Sequence, residues 1–368
     1  MKTIAVFLPW VSRVVAIAAI TVLATIRVLP ARAQVPEANW KTVDIGGVPH
    51  VPVEALKTTY DFDQLKRDGN AIVLENKKVR VEIKTGSDVL AMNAIRFHFA
   101  RPVIEHEGEP MVSLEDVKGI LQPVLVPTVS AESGNFQTVI LDPMGGGKEK
   151  GEVNKSGSEA EMALRVAKLA KARLEANEFH VVMTRGDESG MSVEQRRDFA
   201  NAVKEDAIFI RISFGSGPRD TAGFSTWVLS PPLPADAPSG ARDFSNPAMA
   251  LATAIHGSTV NKLGKNMADG AISRDTTSLF SSIAHPAVWI KAGSMSSPGE
   301  AKIIAAESFQ EMLAGSISDS VAKYWIAVSG IATRKETLQQ PPDEEPTITL
   351  PPGVGPQPLP APVSPSGP

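Results

Sequence analysis

Beyond residue 136, apolar positions follow two alternating patterns. Short apolar runs of strand length are separated by longer stretches in which apolar residues recur every three or four positions, as in an amphipathic helix. The runs predict strands at 138–141, 180–184, 207–213, 224–229 and 287–292, and the stretches predict helices at 159–176, 193–204, 247–263 and 300–328. This alternation predicts an α/β domain over residues 136–330, with a mostly parallel sheet and helices on both faces. Ligands in such folds bind at the carboxyl ends of the strands.

Residues 38–125 show a different pattern, in which apolar and polar residues alternate at the period of a β-strand. They also contain an internal repeat, because "GGVPHVPVEALK" at 46–57 matches "EGEPMVSLEDVK" at 107–118. These features predict a small α+β domain, and the pattern resembles the copper amine oxidase N-terminal-like domain that bacterial wall proteins often carry. The resemblance brings no copper ligands with it. Residues 123–135, rich in Pro, Val, Thr, Ser and Gly, are interpreted as a linker.

The first 33 residues have the features of an export signal. Lys2 and Arg13 supply positive charge, residues 14–26 form an uninterrupted apolar core, and Ala31 and Ala33 frame a small-x-small cleavage site. The alternative is a retained membrane anchor, but that core is too short to span a bilayer unless Arg13 lies inside it. We therefore expect an exported protein of the periplasm or cell envelope, with no stable membrane span after cleavage.

Composition removes several classes of function. The net charge of −4 gives no indication of nucleic-acid binding. The chain has no cysteine, which excludes disulfides, thiolate nucleophiles and cysteine zinc sites, and it has only six histidines. The proline-rich residues 339–368 are expected to be a disordered tail. The alternative for this tail is a polyproline II ligand or a spacer that crosses the wall.

Candidate chemistry begins at a glycine loop, which follows the first predicted strand in "VILDPMGGGKEKG" at 139–151. Glu159 opens the next helix on its apolar face, where a carboxylate needs a partner or a metal. The alternative is a first-turn acid that favours the helix dipole. Strand alternation places Arg211 and Ser213 on one face. It also places Lys291 within the last strand, where a lysine either has a partner or reaches solvent.

These motifs resemble, in their order, the zinc-dependent N-acetylmuramoyl-L-alanine amidase family, which trims peptidoglycan. The segment "DPMGGG" at 142–147 stands where the family reads Asp-Pro-Gly-His-Gly-Gly. The segment "VVMTRGDESGMSVEQRRDFAN" at 181–201 is similar to the family's Thr-Arg strand and Leu-Glu-Glu-Arg helix. The segment "HPAVWIKAGSMSSPGEAKII" at 285–304 is similar to its final strand, loop and closing helix. The resemblance covers roughly half the chain and implies an amidase-like, hydrolase fold.

The same resemblance implies a site that has lost most of its chemistry. Family members hold one zinc ion by His, Glu and His, and a catalytic glutamate moves the proton of the zinc-activated water. Gly145 and Ser213 stand where the two histidines belong, Glu159 matches the zinc glutamate, and Lys291 occupies the catalytic glutamate position. No catalytic residue, no metal and no other cofactor are therefore expected.

The expected pocket contains the degenerate positions and their neighbours, which are Met144, Glu159, Arg211, Ser213, His285 and Lys291. In it we expect an ion pair between Glu159 and Lys291 to replace the metal, and Met144 to fill part of the emptied volume. The expected function is that of a metal-free pseudoenzyme that binds peptidoglycan or a wall-associated protein, with Arg211 and Lys291 favouring a peptide carboxylate. The alternative is an active peptidoglycan amidase, which hydrolyses the N-acetylmuramoyl–L-alanine amide bond through a non-standard zinc site.

Overall fold

A computed structural model describes residues 40–127, 136–215, 222–230, 242–275 and 282–329. The export signal, the second part of the linker and the proline-rich tail lie outside the described residues, so these assignments stay predictions. Within the described ranges, every helix falls short of the length or the apolarity that a membrane span needs.

The amino-terminal part consists of short antiparallel strands with one face buried. In β5, for example, Val81 and Ile83 are buried, whereas Glu82 between them is exposed. This alternation confirms the predicted strand period. The elements are β1 (Val43–Ile45), β2 (Val48–Pro52), α1 (Val53–Thr59), β3 (Gln64–Asp68), β4 (Ala71–Glu75), β5 (Arg80–Lys84), β6 (Val89–Met92), β7 (Ile95–His98), β8 (Ile104–His106), β9 (Glu109–Ser113), α2 (Leu114–Asp116), a π-helical turn (Val117–Leu121) and α3 (Gln122–Leu125).

The second part alternates strands and helices, and the five predicted strands and the first three predicted helices agree with it to within two residues at each end. The predicted helix at 300–328 is two helices, because Ala306 adopts an extended conformation with φ −70° and ψ 130°. The elements are β10 (Thr138–Pro143), β11 (Val153–Asn154), β12 (Gly157–Ser158), α4 (Glu159–Ala176), β13 (His180–Met183), α5 (Val193–Ala202), β14 (Ala207–Gly215), β15 (Phe224–Val228), α6 (Ser245–Leu263), β16 (Asp269–Arg274), β17 (Ala287–Ser294), α7 (Pro298–Ala305) and α8 (Glu307–Ser329).

The main sheet has eleven strands in the order β13-β10-β14-β17-β15-β16-β7-β6-β5-β4-β3. The strands β13, β10, β14 and β17 are parallel to one another, but β15 is antiparallel to β17. Strands β3 to β7 add an antiparallel meander. The expectation of a mostly parallel sheet is therefore not confirmed: the sheet is mixed, because β15 is antiparallel to β17 and the amino-terminal strands add an antiparallel meander.

Two apolar clusters cover the two faces of the parallel strands. Leu141 belongs to the larger cluster, which contains the buried faces of α4, α6 and α8. Its neighbour Ile140 points the other way, into a smaller cluster with Phe209 and with Ala200 of α5. Successive residues of β10 thus enter opposite cores, as strand geometry requires. The prediction of helices on both faces is confirmed.

The amino-terminal strands join the second part through polar as well as backbone contacts. Strand β7 pairs with β16 at one position, Phe97 with Ile272. Arg274 of β16 forms an ion pair of 2.7 Å with Asp116, whose side chain is fully buried. Because a buried charge needs such a partner, the two parts depend on each other at this junction. The division into domains at 38–125 and 136–330 stays a prediction.

Candidate functional site

The glycine loop leaves β10 at the carboxyl edge of the sheet. Gly145, Gly146 and Gly147 have φ values of +73°, +111° and +57°, a region that side chains strongly disfavour. The amide of Gly146 donates to the carbonyl of Glu149 at 2.8 Å, and the amide of Glu149 donates back to the carbonyl of Gly146 at 3.0 Å. The three glycines therefore permit a tight turn that folds back on itself.

Arg196 of α5 holds the base of this turn from one side. Its guanidinium forms a fully buried ion pair with Asp142, the residue at the end of β10, and donates to the carbonyls of Pro143 at 3.0 Å and Gly145 at 2.6 Å. The hydroxyl of Thr184 donates to the same Asp142 carboxylate at 2.6 Å. A single buried arginine thus fixes both the strand end and the loop.

Arg185, at the end of β13, holds the turn from the other side. It donates to the carbonyls of Pro143 at 2.9 Å, Met144 at 2.9 Å and Ala160 at 2.7 Å, and the last of these joins the loop to α4. Burial and the neighbouring Arg196 lower the pKa of Arg185 from its ordinary value. The sequence interpretation gave Arg185 and Arg196 no role. Each of these arginines lies beside a strand or helix that is predicted to be buried. That position is the sequence feature that could have indicated their role, since buried charges need partners.

A cavity of about 420 Å³ lies between the loop, the start of α4 and the end of β14. It is lined by Met144, Gly145, Glu149, Lys150, Gly151, Glu159, Ala160, Ser213 and Phe214. Three members of the expected pocket, Met144, Glu159 and Ser213, therefore meet at the carboxyl edge of the sheet. The cavity is also the position in which this fold class binds ligands.

Glu159 forms the acidic wall of this cavity. It begins α4, where Ser158 caps the helix by accepting a hydrogen bond from the amide of Glu161 at 3.3 Å. The side chain of Glu159 is only 6% exposed, as the inward position in the sequence predicts. Gly151 lies directly against it, because a Cβ at Gly151 would overlap Glu159 Oε2. The glycine thus allows the chain to cover the carboxylate.

The residues at the degenerate positions do not fit a zinc ion held by three side chains. At Gly145, a Cβ would lie 2.5 Å from the carbonyl oxygen of Glu149 and 2.9 Å from the Cβ of Ala160, so no ligand side chain has room there. The Ser213 hydroxyl accepts a hydrogen bond of 2.6 Å from Trp289 Nε1 and lies 3.3 Å from the carbonyl of Ile290. Of the three positions, only Glu159 offers a strong zinc ligand.

The predicted ion pair between Glu159 and Lys291 is wrong for this structure: the ion pairs between described residues do not include it. Lys291 Nζ instead lies 4.5 Å from the ring centroid of Trp227 and 4.2 Å from that of Trp289. Lys291 shares its face of the sheet with its register partner Ser213 and with Trp289, and its ammonium group is directed at the indole rings. Burial lowers the pKa of Lys291, and the Asp275 carboxylate opposes this shift.

Arg211 lies on the same face of the sheet as Lys291, but its guanidinium contacts Asp142 and Trp289. Its Nε is 3.6 Å from Asp142 Oδ2, and its guanidinium lies over Trp289 at 5.2 Å. Only 5% of Arg211 is exposed, and burial lowers its pKa. The carboxylates of Asp142 and Glu149 oppose this lowering of the pKa, and Glu149 lines the cavity.

The histidines do not converge on the cavity. His285 precedes β17, at the amino end of the sheet, where its Nε2 lies 3.2 Å from the carbonyl of Ala200. His256 is fully buried between Thr226 at 3.0 Å and Asp269 at 2.9 Å. The cavity lies at the carboxyl ends of the strands, on the opposite edge of the sheet from His285. The geometry therefore does not support the inclusion of His285 in the pocket.

The described strands and helices beyond residue 136 thus define an α/β protein with a cavity at the carboxyl edge of its sheet. Residues 139–323, half of the chain, match the protein family described as N-acetylmuramoyl-L-alanine amidase. The chain belongs to this family, whose members act on peptidoglycan. No curated protein matches the chain.

Several solved amidase structures are similar to this part of the chain. The N-acetylmuramoyl-L-alanine amidase AmiC2 of Nostoc punctiforme is 19% identical with a TM-score of 0.43, over 51% of this chain and 96% of that one. The amidase from Clostridium difficile 630 is 25% identical with a TM-score of 0.41, over 52% and 97%. The catalytic domain of CwlV from Bacillus (Paenibacillus) polymyxa var. colistinus is 23% identical with a TM-score of 0.42, over 51% and 98%.

Proposed function

We propose that the protein is an exported, metal-free member of the amidase family that binds peptidoglycan without hydrolysing it. One observation carries the proposal: the loop that would present the first zinc ligand has glycine at position 145, and the carbonyl of Glu149 and the side chain of Ala160 occupy the space of any larger residue. The glycine itself lacks a side chain that could bind zinc. The packing around it also leaves no space for a larger residue that could supply one.

The other chemical positions support the same proposal. Ser213 has a neutral hydroxyl that already accepts a short hydrogen bond from Trp289. Lys291 carries an ammonium group, which cannot act as the general base that a carboxylate provides. A hydrolase that activates water through a metal needs several ligands and an open position. Glu159 alone does not supply them.

The cavity supports retention of binding. Its volume of about 420 Å³ falls within the range of pockets that hold small ligands. It combines an acidic wall at Glu159 with apolar groups at Met144 and Phe214. Since family members act on peptidoglycan, a peptide segment of the wall is the ligand class that we propose. A wall-associated protein with an extended peptide would present similar chemistry.

Sedimentation with purified sacculi tests binding, and metal analysis tests the absence of zinc. We expect the mature protein to sediment at low salt, to contain no stoichiometric zinc and to release no peptide. Lys150→Glu should weaken retention because Lys150 lines the cavity, whereas Lys148→Glu, two residues earlier outside this lining, should not. Absence of sedimentation at low salt would refute wall binding.

The second candidate is an active amidase with a non-standard zinc site. The buried Glu159, retained at the wall of an open cavity, is the observation that favours it. Stoichiometric zinc in the purified protein, together with zinc-dependent cleavage of sacculi that Glu159→Gln abolishes, would establish this function and overturn the metal-free proposal.

A further inference from the structure

Lys291 lies in a cluster that the family's chemistry does not account for. Trp227 and Trp289 are directly opposite each other in the antiparallel pair β15–β17, and the Lys291 ammonium lies over both rings. Hydrogen bonds fix the two indoles, from Trp227 Nε1 to the Ser225 hydroxyl at 3.2 Å and from Trp289 Nε1 to the Ser213 hydroxyl at 2.6 Å. The Lys291 ammonium therefore lies close to two aromatic rings whose orientations are fixed.

The ammonium group of Lys291 keeps its hydrogen-bonding capacity. Among the described residues, it has no hydrogen bond and no ion pair with a carboxylate. An indole face attracts a cation through its quadrupole but accepts no strong N–H hydrogen bond, so the three donors stay available. Lys291 and both tryptophans are half-buried, which reduces the water available to the charge. A partly desolvated cation with free donors favours an anionic ligand.

The cluster borders the cavity. Ser213 lines the cavity, accepts the hydrogen bond of Trp289 and is the register partner of Lys291 in the parallel pair β14–β17. Neighbouring strands are about 5 Å apart, so a ligand that leaves the cavity past Ser213 meets Lys291 next. Arg211 lies over the same Trp289 ring as Lys291 and adds a second positive charge, which the Asp142 carboxylate 3.6 Å away partly offsets.

We infer that Lys291, which lies close to Trp227 and Trp289, binds the carboxylate of a peptide whose chain occupies the adjoining cavity. The inference rests on the proposed wall-binding function and assigns its specificity. The single positive charge of the ammonium matches the single negative charge of a carboxylate. The two indole rings pack against the carbon atoms that flank the carboxylate. Lysine at this position thus favours an anionic group where the family's glutamate would repel one.

A pair of soluble peptides tests the inference on the unmodified protein. N-acetyl-L-alanyl-D-glutamate and its diamide have the same shape, but only the first carries carboxylates. Fluorescence is a suitable readout, because two of the five tryptophans belong to the cluster. We expect the diamide to bind about tenfold to a hundredfold more weakly, the usual effect of losing a charged hydrogen bond. Equal binding of both peptides, or no binding of the diacid, would overturn the inference.

Variants then test whether Lys291 causes the preference for the diacid. Lys291→Met keeps an apolar chain beside the indoles and should lose the preference for the diacid, whereas Lys291→Arg should keep it. Lys302→Met, at an exposed lysine of α7, is the matched control and should bind as the wild type does. Unchanged preference in Lys291→Met, or tighter binding of inorganic phosphate than of the diacid, would contradict the assignment.

The same variants separate this inference from the proposed function. If the wild type and Lys291→Met sediment equally with sacculi, wall binding stands and the role of Lys291 is refuted. If the wild type does not sediment, the proposed function fails as well. Loss of sedimentation in Lys291→Met but not in Lys291→Arg or Lys302→Met supports both.

Discussion

Replacing Arg196 with methionine should cause a large loss of stability, because Arg196 forms a buried ion pair and hydrogen bonds that hold the glycine loop in place. The ion pair with Asp142 has side-chain exposures of 1% and 0%, so the variant leaves a carboxylate buried beside fewer donors. Removing one partner of a buried pair costs about 3–5 kcal/mol. The carbonyl of Gly145 also loses its donor at 2.6 Å. We expect the free energy of unfolding to fall by about 3–5 kcal/mol.

The neighbouring residue supplies a matched control. Arg197 also pairs with an aspartate, Asp198, at 2.7 Å, but the two side chains are 30% and 66% exposed. Such surface pairs contribute about 0–1 kcal/mol, because water solvates both charges and long side chains lose freedom when they pair. Arg197→Met should therefore change the free energy of unfolding by less than about 1 kcal/mol.

Urea unfolding followed by circular dichroism measures both variants under the same conditions. A double-mutant cycle with Asp142→Asn then isolates the pair, and we expect the two changes to be strongly non-additive. The reasoning is refuted if Arg196→Met is no more destabilising than Arg197→Met. It is also refuted if the effects of Arg196→Met and Asp142→Asn add, since the loop would then be held by other contacts.

Three further changes have definite expected outcomes. Gly145→Ala should destabilise the fold by at least about 1–2 kcal/mol in urea unfolding, since φ is +73° and the Cβ meets the Glu149 carbonyl. Lys291→Ala should cost less than about 2 kcal/mol in the same assay, because it loses cation–π contacts and not a buried ion pair. Burial raises the pKa of Glu300 above its ordinary 4.5, and a hydrogen bond from the Ser294 amide opposes this shift. The stability that Glu300 contributes is therefore complete below pH 4.5 and is lost as the pH rises through the raised pKa. Glu300→Gln should remove this loss, and its stability should rise relative to the wild type in urea titrations between about pH 4 and pH 7.

The sequence predicted the alternating strands and helices well because their periodicity depends on local spacing. It did not predict that the sheet is mixed, since which strands become neighbours depends on long-range packing. The single pairing of Phe97 with Ile272 joins segments that are far apart in sequence, and no local pattern marks it. The buried pair of Arg274 with Asp116 is of the same kind.

Of the six residues expected in the pocket, the cavity lining includes Met144, Glu159 and Ser213 but not Arg211, His285 or Lys291. Glu159 was placed inward by its position in the helical stripe, and it does line the cavity. Its pairing with Lys291 was inferred from two charges that both needed partners. The structure instead places the Lys291 ammonium over the rings of Trp227 and Trp289. A charged residue in a strand can be satisfied by aromatic rings, and a sequence does not show which rings will face it.

The hydrogen bonds from Arg185 and Arg196 explain how the turn keeps its shape although Gly145 has no metal-binding side chain. The loop carbonyls of Met144 and Gly145 and that of the preceding Pro143 accept hydrogen bonds from Arg185 and Arg196, so side-chain donors fix the backbone directly. A backbone held in this way does not need a side chain on the glycine to position it. The loop therefore stays at the carboxyl edge as the wall of a cavity, and that cavity is available for binding whether or not it performs chemistry.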